Sequence, residues 1–405
     1  MHICIVTTGQ LGSNPRVVKE ADALSAAGHD VTVICTKVAE FVEPRDRAVM
    51  ARASFAVRRI SFDHPVRWRA LRLRQILAGA LCRIGLKKHF AANALSAMTP
   101  SLMRAALAVP ADLYIAHYPP ALAVAARAAS IHRSRYAFDA EDFHLGDLPD
   151  RPEHEFDKAL IRSVEGRYLP KATYLTAASP MIAIAYAECY DIPAPTTLLN
   201  VFPRANAPKA PTSEGSYEPG PTLYWFSQVI GPGRGLETAI RAIGLTRTKV
   251  HLHLRGTPAR GFAVLLQGLA REFGVLERLH LLDPIAPDAL EGCGAHFDLG
   301  YAGDLCETRN RQIALTNKLF SYLSSGLPII ASDIPSHRGI ADELGLAVTL
   351  FPVDDAQALA AAIDSLCVDS EKLATARRHA WELGQGRFSW ELECSKLLER
   401  IREVA

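Results

Sequence analysis

One feature constrains this 405-residue chain more than any other. Short runs rich in Val, Ile, Leu, Tyr and Phe alternate with amphipathic stretches along almost its whole length. Residues 2–7 (HICIVT) lead through the loop TGQLGSNPR into VVKEADALSAAG, which is periodic at helical spacing and stops at Gly28, and then into VTVICT. The rhythm returns at 113–118 (LYIAHY), 135–141 (RYAFDAE), 172–179 (ATYLTAAS) and 196–202 (TTLLNVF), with helical segments between. Such a strand–helix–strand series is expected to wind into a parallel sheet covered by helices on both faces.

The pattern breaks once. Residues 203–221 carry Pro203, Pro208, Pro211, Pro219 and Pro221 with hardly a large apolar side chain, as a linker would. Apolar runs then restart at 222–228, 250–256, 278–283, 296–303, 327–333 and 347–352. The chain therefore divides into a first domain at 1–202, a linker at 203–221, a second domain at 222–385, and a final segment at 386–405 whose helix is placed to cross back to the first. The expected fold is α/β, two Rossmann-like domains facing across a cleft.

Length suits two domains of similar size, and 49% hydrophobic with 22% charged residues suits a chain that buries large cores. The eight cysteines are scattered without a CxxC pair, mostly in apolar runs, and read as reduced core residues of a cytoplasmic protein. The chain opens directly on a strand pattern, which predicts no signal peptide, and its longest apolar run, Ile76–Leu86, is too short to span a bilayer and contains Arg83. Charge is uneven. Between Arg45 and Arg104 thirteen Lys or Arg face only Asp46 and Asp63, so this stretch is expected to meet an anionic membrane surface or to be a solvated charged face.

Ligands of open parallel sheets bind at the carboxyl ends of strands, so four loops draw attention. The first, TGQLGSNPR, gives G-x-x-G and lacks the dinucleotide fingerprint. Gly9, Gln10 and Gly12 either make a tight turn or let a substrate approach the backbone. The second, GPGRG at 231–235, is a glycine-rich nest before a helix, with Gly233, Arg234 and Gly235 suited to a phosphate. The third is TNKLFSYLSSGLP at 316–328, where Thr316 caps a helix that Gly326 ends. A lysine in its first turn, Lys318, opposes the helix dipole unless an anion sits there. The fourth collects His117 with Asp139, Glu141 and Asp142 at strand ends, either structural or at a reacting centre.

Together these pieces resemble the GT-B glycosyltransferases, family 4, the "group 1" bacterial sugar transferases. The resemblance runs through SNPRVVKEADALSAAGHDVTVI, ASPMIAIAYAECYDI, GPGRGLETAIRAI and TNKLFSYLSSGLPIIASDIPSH. It implies a retaining transfer of sugar from a nucleotide-sugar donor, held mainly by the second domain, to a lipid-linked glycan acceptor of bacterial surface polysaccharide synthesis, held by the first. It also implies no cofactor and no bound metal, in keeping with the absence of a D-x-D triplet, and no nucleic-acid partner. By resemblance Arg234 matches the phosphate-binding lysine of the family, and His117 a histidine near the reacting sugar. Two departures stand out. The family's pair of glutamates is replaced by Ile313 and Ser321, and an arginine at the start of the second domain is Gln228, so either Glu307, Asn317 and Lys318 take over those contacts or donor binding is weakened. Other readings are a catalytically silent homologue serving as a scaffold, a sugar-nucleotide epimerase of the same fold and, against the missing fingerprint, a nicotinamide enzyme.

Overall fold

A computed structural model describes residues 1–61, 65–211 and 219–404. The middle of the expected linker, 212–218, and residues 62–64 of the basic stretch lie outside the described residues.

The chain forms two compact units. The first comprises Met1–Leu198, Thr308–Asn310 and the chain from Cys394 onward, and the second Leu199–Glu307 and Arg311–Glu393. The first unit carries β1 (His2–Thr7), β2 (Asp30–Lys37), β3 (Ala56–Ser61), β4 (Leu113–His117), β5 (Arg135–Ala140), β6 (Leu175–Ala177) and β7 (Thr196–Thr197). They form one sheet in the order β3-β2-β1-β4-β5-β6-β7, and the pairings are parallel. The second unit carries β8 (Thr222–Ile230), β9 (His251–Pro258), β10 (Leu279–Leu282), β11 (Leu299–Ala302), β12 (Ile329–Ser332) and β13 (Val348–Phe351), again parallel, in the order β10-β9-β8-β11-β12-β13. Both orders reverse direction at one point, between β1 and β4 and between β8 and β11. There the outgoing loops part and leave a crevice at the strand ends.

The central strands are buried on both faces, as Ile3–Val6, Leu113–Ala116 and Ile329–Ala331 show, so they read as continuous apolar runs. In the second unit Leu223, Trp225, Leu252 and Leu254 pack against Leu236, Ile240 and Ile243 on one face, while Tyr224, Phe297, Leu319, Phe320 and Leu323 fill the other. β3, which the apolar pattern did not announce, is an edge strand carrying Arg58 and Arg59.

The described start of the expected linker is docked. Phe202 bridges Ser389 and accepts from the Trp390 amide, and Pro208 accepts from the Trp381 indole, all within the second unit. The terminal helix Trp390–Val404 changes unit at Cys394. The cysteines are unpaired among the described residues, but only Cys4, Cys35 and Cys82 are buried, while Cys189 and Cys306 are exposed, which corrects the expectation of core cysteines. Among the described residues no helix is long and apolar enough to cross a membrane.

Candidate active site

In the second unit the crevice gathers cations. β8 is interrupted by a register shift between Phe226 and Val229, which places Gln228 in an exposed bulge. The chain then turns through Gly231–Gly235 into the helix Leu236–Leu245. Gly235 has φ 67°, and a Cβ there would lie 2.2 Å from the Gly303 carbonyl, so only glycine allows this close passage. Gly233 has φ 72° and lies against the Glu307 carboxylate, 2.9 Å from a built Cβ. Arg311 donates to the Gly233 carbonyl at 2.6 Å and sits 3.7 Å from Glu307.

The helix Asn317–Ser325 supplies the other wall. Lys318 is 8% exposed and lies 5.5 Å from the centre of the Trp225 ring. Burial lowers its affinity for a proton; Asp304 opposes this, and Arg234 and Arg311 add to it. Arg234 is likewise held below its ordinary value by burial and by Arg311, against Asp304 and Glu307. Three cations thus repel one another at one crevice, a field that a bound anion would relieve.

Thr316 occupies the cap position, but its hydroxyl makes no capping bond and is buried without a partner, which corrects the expected side-chain cap. Asp304 Oδ2 and His337 Nε2 are also buried without partners, and Asp304 acts electrostatically on Lys318, Arg234 and His337. Sequence reasoning missed Asp304, Arg311 and His337. His337 ended a quoted motif, whereas Asp304 and Arg311 follow β11 without any local signature. Asn317 is partly exposed in the first turn. Ser321 is 1% exposed and donates to Glu291 at 2.8 Å, so it is corrected from a donor contact to an internal one. That bond brings a buried carboxylate to the position where the sequence itself lacks one.

The corresponding crevice of the first unit is filled from within. Arg16 grips Asp139 with two bonds of 2.8 and 2.7 Å and donates a third to the Leu198 carbonyl, while Thr176 donates to Asp139. Burial of Asp139 favours its neutral form, but Arg16 and His117 together hold its carboxyl below the usual range. His117 is 1% exposed, with Nε2 2.7 Å from Glu20 and Nδ1 3.9 Å from Asp139. In this structure Asp139 is thus the ion-pair partner of Arg16, and His117 is bonded inside the sheet end. Gln10 and Gly12 are likewise engaged within the unit. Both donate to Asp46, Gln10 also receives the Val38 and Ala39 amides, and a Cβ at Gly12 would lie 2.7 Å from Arg45. Gly9 stays partly exposed, bonded to Thr7. Glu141 is half-buried, and burial reinforced by Asp142 raises its carboxyl pKa.

Beside these residues opens a cavity of about 660 Å³. Tyr118, missed in the sequence, forms part of its wall with φ 73° and ψ 148°, a region nearly reserved for glycine. Among the described residues no group of three or more His, Cys, Asp or Glu is placed to hold a metal.

Residues 12–200 match the family model of the glycosyl transferase 4-like domain. No curated protein matches the sequence. Among solved structures the chain is similar to Anabaena HepE in complex with UDP, at 15% identity and TM-score 0.71 over 100% of both chains. It is similar to sucrose-phosphate synthase from Thermosynechococcus elongatus, at 15% identity and TM-score 0.72 over 100% of this chain and 99% of that one. A third likeness is to the lipopolysaccharide outer core galactosyltransferase WaaB, at 12% identity and TM-score 0.64 over 100% of both chains. At such identities the likeness shows the fold. Residues 12–200 thus carry a glycosyl transferase 4-like domain, and the two parallel sheets in Rossmann order give the chain the GT-B fold that these neighbours share.

Proposed function

We propose that the protein moves a sugar, with retention and without a bound metal, from a nucleotide diphosphate sugar held by the second unit to a lipid-linked glycan held by the first. The observation that carries this reading is the cation cluster. Arg234, Arg311 and Lys318 crowd the ends of β8 and β11 at the start of two helices, where a diphosphate leaving group gathers charge as its bond to the sugar breaks. The HepE neighbours bound to UDP and UDP-glucose make a uridine nucleotide the first donor to test. Glu307, paired with Arg311 beside Gly233, and Asn317, next to Lys318, would then meet the rest of the nucleotide.

The lipid-linked acceptor rests on the helix Pro65–Leu81. Val66, Leu73, Ile76 and Leu77 are exposed there, interleaved with exposed Arg67, Arg69, Arg72 and Arg74, a pattern that fits an anionic lipid surface. Arg47 and Arg59 are spent on buried Glu43, and Arg59 also faces Asp46.

The test has two arms. Calorimetry with UDP is expected to show binding, and co-sedimentation with vesicles containing phosphatidylglycerol is expected to fall with salt. No binding of UDP or of any other nucleoside diphosphate would sink the donor reading, and lipid binding indifferent to charge would sink the acceptor reading.

A further inference from the structure

A buried ammonium needs a reason to keep its proton. Lys318 is 8% exposed, and its direct partner among the described residues is the face of the Trp225 ring, with no hydrogen-bond acceptor and no ion pair. A lysine so placed sheds its proton readily, and a neutral amine holds no anion. Of the charged groups that act on it, Arg234 and Arg311 drive the proton off and Asp304 keeps it on.

Asp304 and His337 are both fixed by Ser332 at the end of β12. The Ser332 hydroxyl donates to the Asp304 carbonyl at 2.7 Å, and the Ser332 carbonyl lies 2.8 Å from His337 Nδ1. A carbonyl can only accept, so the proton of the ring is on Nδ1. Burial and Lys318 lower the proton affinity of His337, against Asp304, the Ser332 carbonyl and Asp333, so the ring is neutral and Nε2 is a bare acceptor. His337 is 1% exposed and Asp304 5%, and neither Nε2 nor Oδ2 has a partner. One region of the fold thus holds two buried acceptors without a donor and an ammonium without an acceptor, each acting electrostatically on the others. Asp304 forms no ion pair with Lys318 among the described residues, so it favours the charge without cancelling the field that an anion would meet. His337, being neutral, offers an acceptor without adding to the repulsion.

We propose that Asp304 and His337 are positioning residues of the diphosphate site, Asp304 holding Lys318 as an ammonium and His337 Nε2 seating it, while neither touches the nucleotide. The proposal rests on the nucleotide-sugar reading above and adds what keeps its buried lysine charged.

Calorimetry of UDP binding to the full chain at pH 7, 8 and 9 tests it, each variant compared with wild type at the same pH so that ionisation of the nucleotide cancels. D304N keeps the shape of the side chain and loses its charge. It is expected to bind UDP about 3-fold more weakly than wild type at pH 7 and at least roughly 10-fold more weakly at pH 9, since each pH unit above the titration of Lys318 costs up to tenfold. Repeated in two buffers of different ionisation enthalpy, D304N is expected to take up more protons on binding UDP than wild type does. H337N keeps a donor towards the Ser332 carbonyl and has nothing at Nε2, and is expected to move both readings in the same direction by less. In D304N/K318R, whose guanidinium stays charged throughout, the deficit is expected to become the same at pH 7 and pH 9. A D304N deficit equal at all three pH values, proton uptake equal to wild type, or a pH-dependent deficit that survives K318R overturns the proposal. If D304N fails to fold, H337N decides by the same two readings, and a profile parallel to wild type overturns the proposal. Wild type that binds UDP beside variants parallel to it sinks this proposal alone, whereas wild type that binds no nucleoside diphosphate sinks the glycosyltransferase reading and this proposal with it.

Discussion

The two units share a strand order and a crevice, and use them in opposite ways. In the second, the loops leaving β8 and β11 bring Arg234, Arg311 and Lys318 together beside Asp304 and Glu307, and the cations still depress one another. In the first, the ends of β4 and β5 meet a cation and a carboxylate of their own chain, and Arg16, Asp139, His117 and Glu20 close on one another. One crevice is open and electrostatically hungry, and the other is sealed. The parallel sheet decides where a site can be, and a few side chains decide whether that place binds or merely holds.

The contrast breaks first at the sealed end. Asp139→Ala leaves the buried Arg16 guanidinium without its ion-pair partner, with an expected loss of about 3–5 kcal/mol of stability. His117→Ala strands Glu20 in the same way, with a loss towards the lower end of that range. In both variants UDP affinity is expected to stay near wild type wherever the protein remains folded. Denaturant unfolding with calorimetry on the same samples checks this, and an unchanged unfolding midpoint in either variant removes that residue from the structural network.

At the open end the expectation reverses. Arg234→Ala and Lys318→Ala are each expected to weaken UDP binding by about 1.5–3 kcal/mol, the range for bonds to charged groups, while leaving thermal stability the same or slightly raised, since each relieves repulsion. If both variants bind UDP as tightly as wild type, the diphosphate is not held there.

A smaller effect separates the units by pH. In the second, His253 is buried between His280 and Phe297, with neither ring nitrogen bonded, and burial together with His280, His251 and Arg255 pushes its pKa down to about 3 from 6.5. Unfolded, the ring takes a proton near pH 6.5; folded, it takes none until about pH 3. Stability from this source is therefore complete above pH 6.5 and declines as pH falls, by up to about 1.4 kcal/mol per unit. The melting temperature is expected to drop between pH 7 and pH 5, and less so in His253→Phe. An equal drop in both would assign the acid sensitivity to other groups.

Much of this was legible in the sequence where the signal is local. Twelve residues at a time suffice to see a strand, a turn and a helix, and GPGRG with TNKLF placed Arg234 and Lys318 at helix starts before any coordinates. β3 escaped because an edge strand is half solvated, and Arg58 and Arg59 erase its apolar run. The ion pairs escaped for a different reason. Arg16 and Asp139 are 123 residues apart, and nothing near either announces the other. A strand-end histidine reads alike whether it meets a substrate or Glu20.

Tyr118 carries a further implication. A side chain held where glycine would be at ease stores about 1–3 kcal/mol that the rest of the fold must supply. Exchange for glycine would relax that tension and take a wall from the cavity in the same stroke. The position thus ties robustness to use, so that a sturdier version of this protein, selected blindly for heat resistance, would tend to become one with a looser grip on whatever enters there.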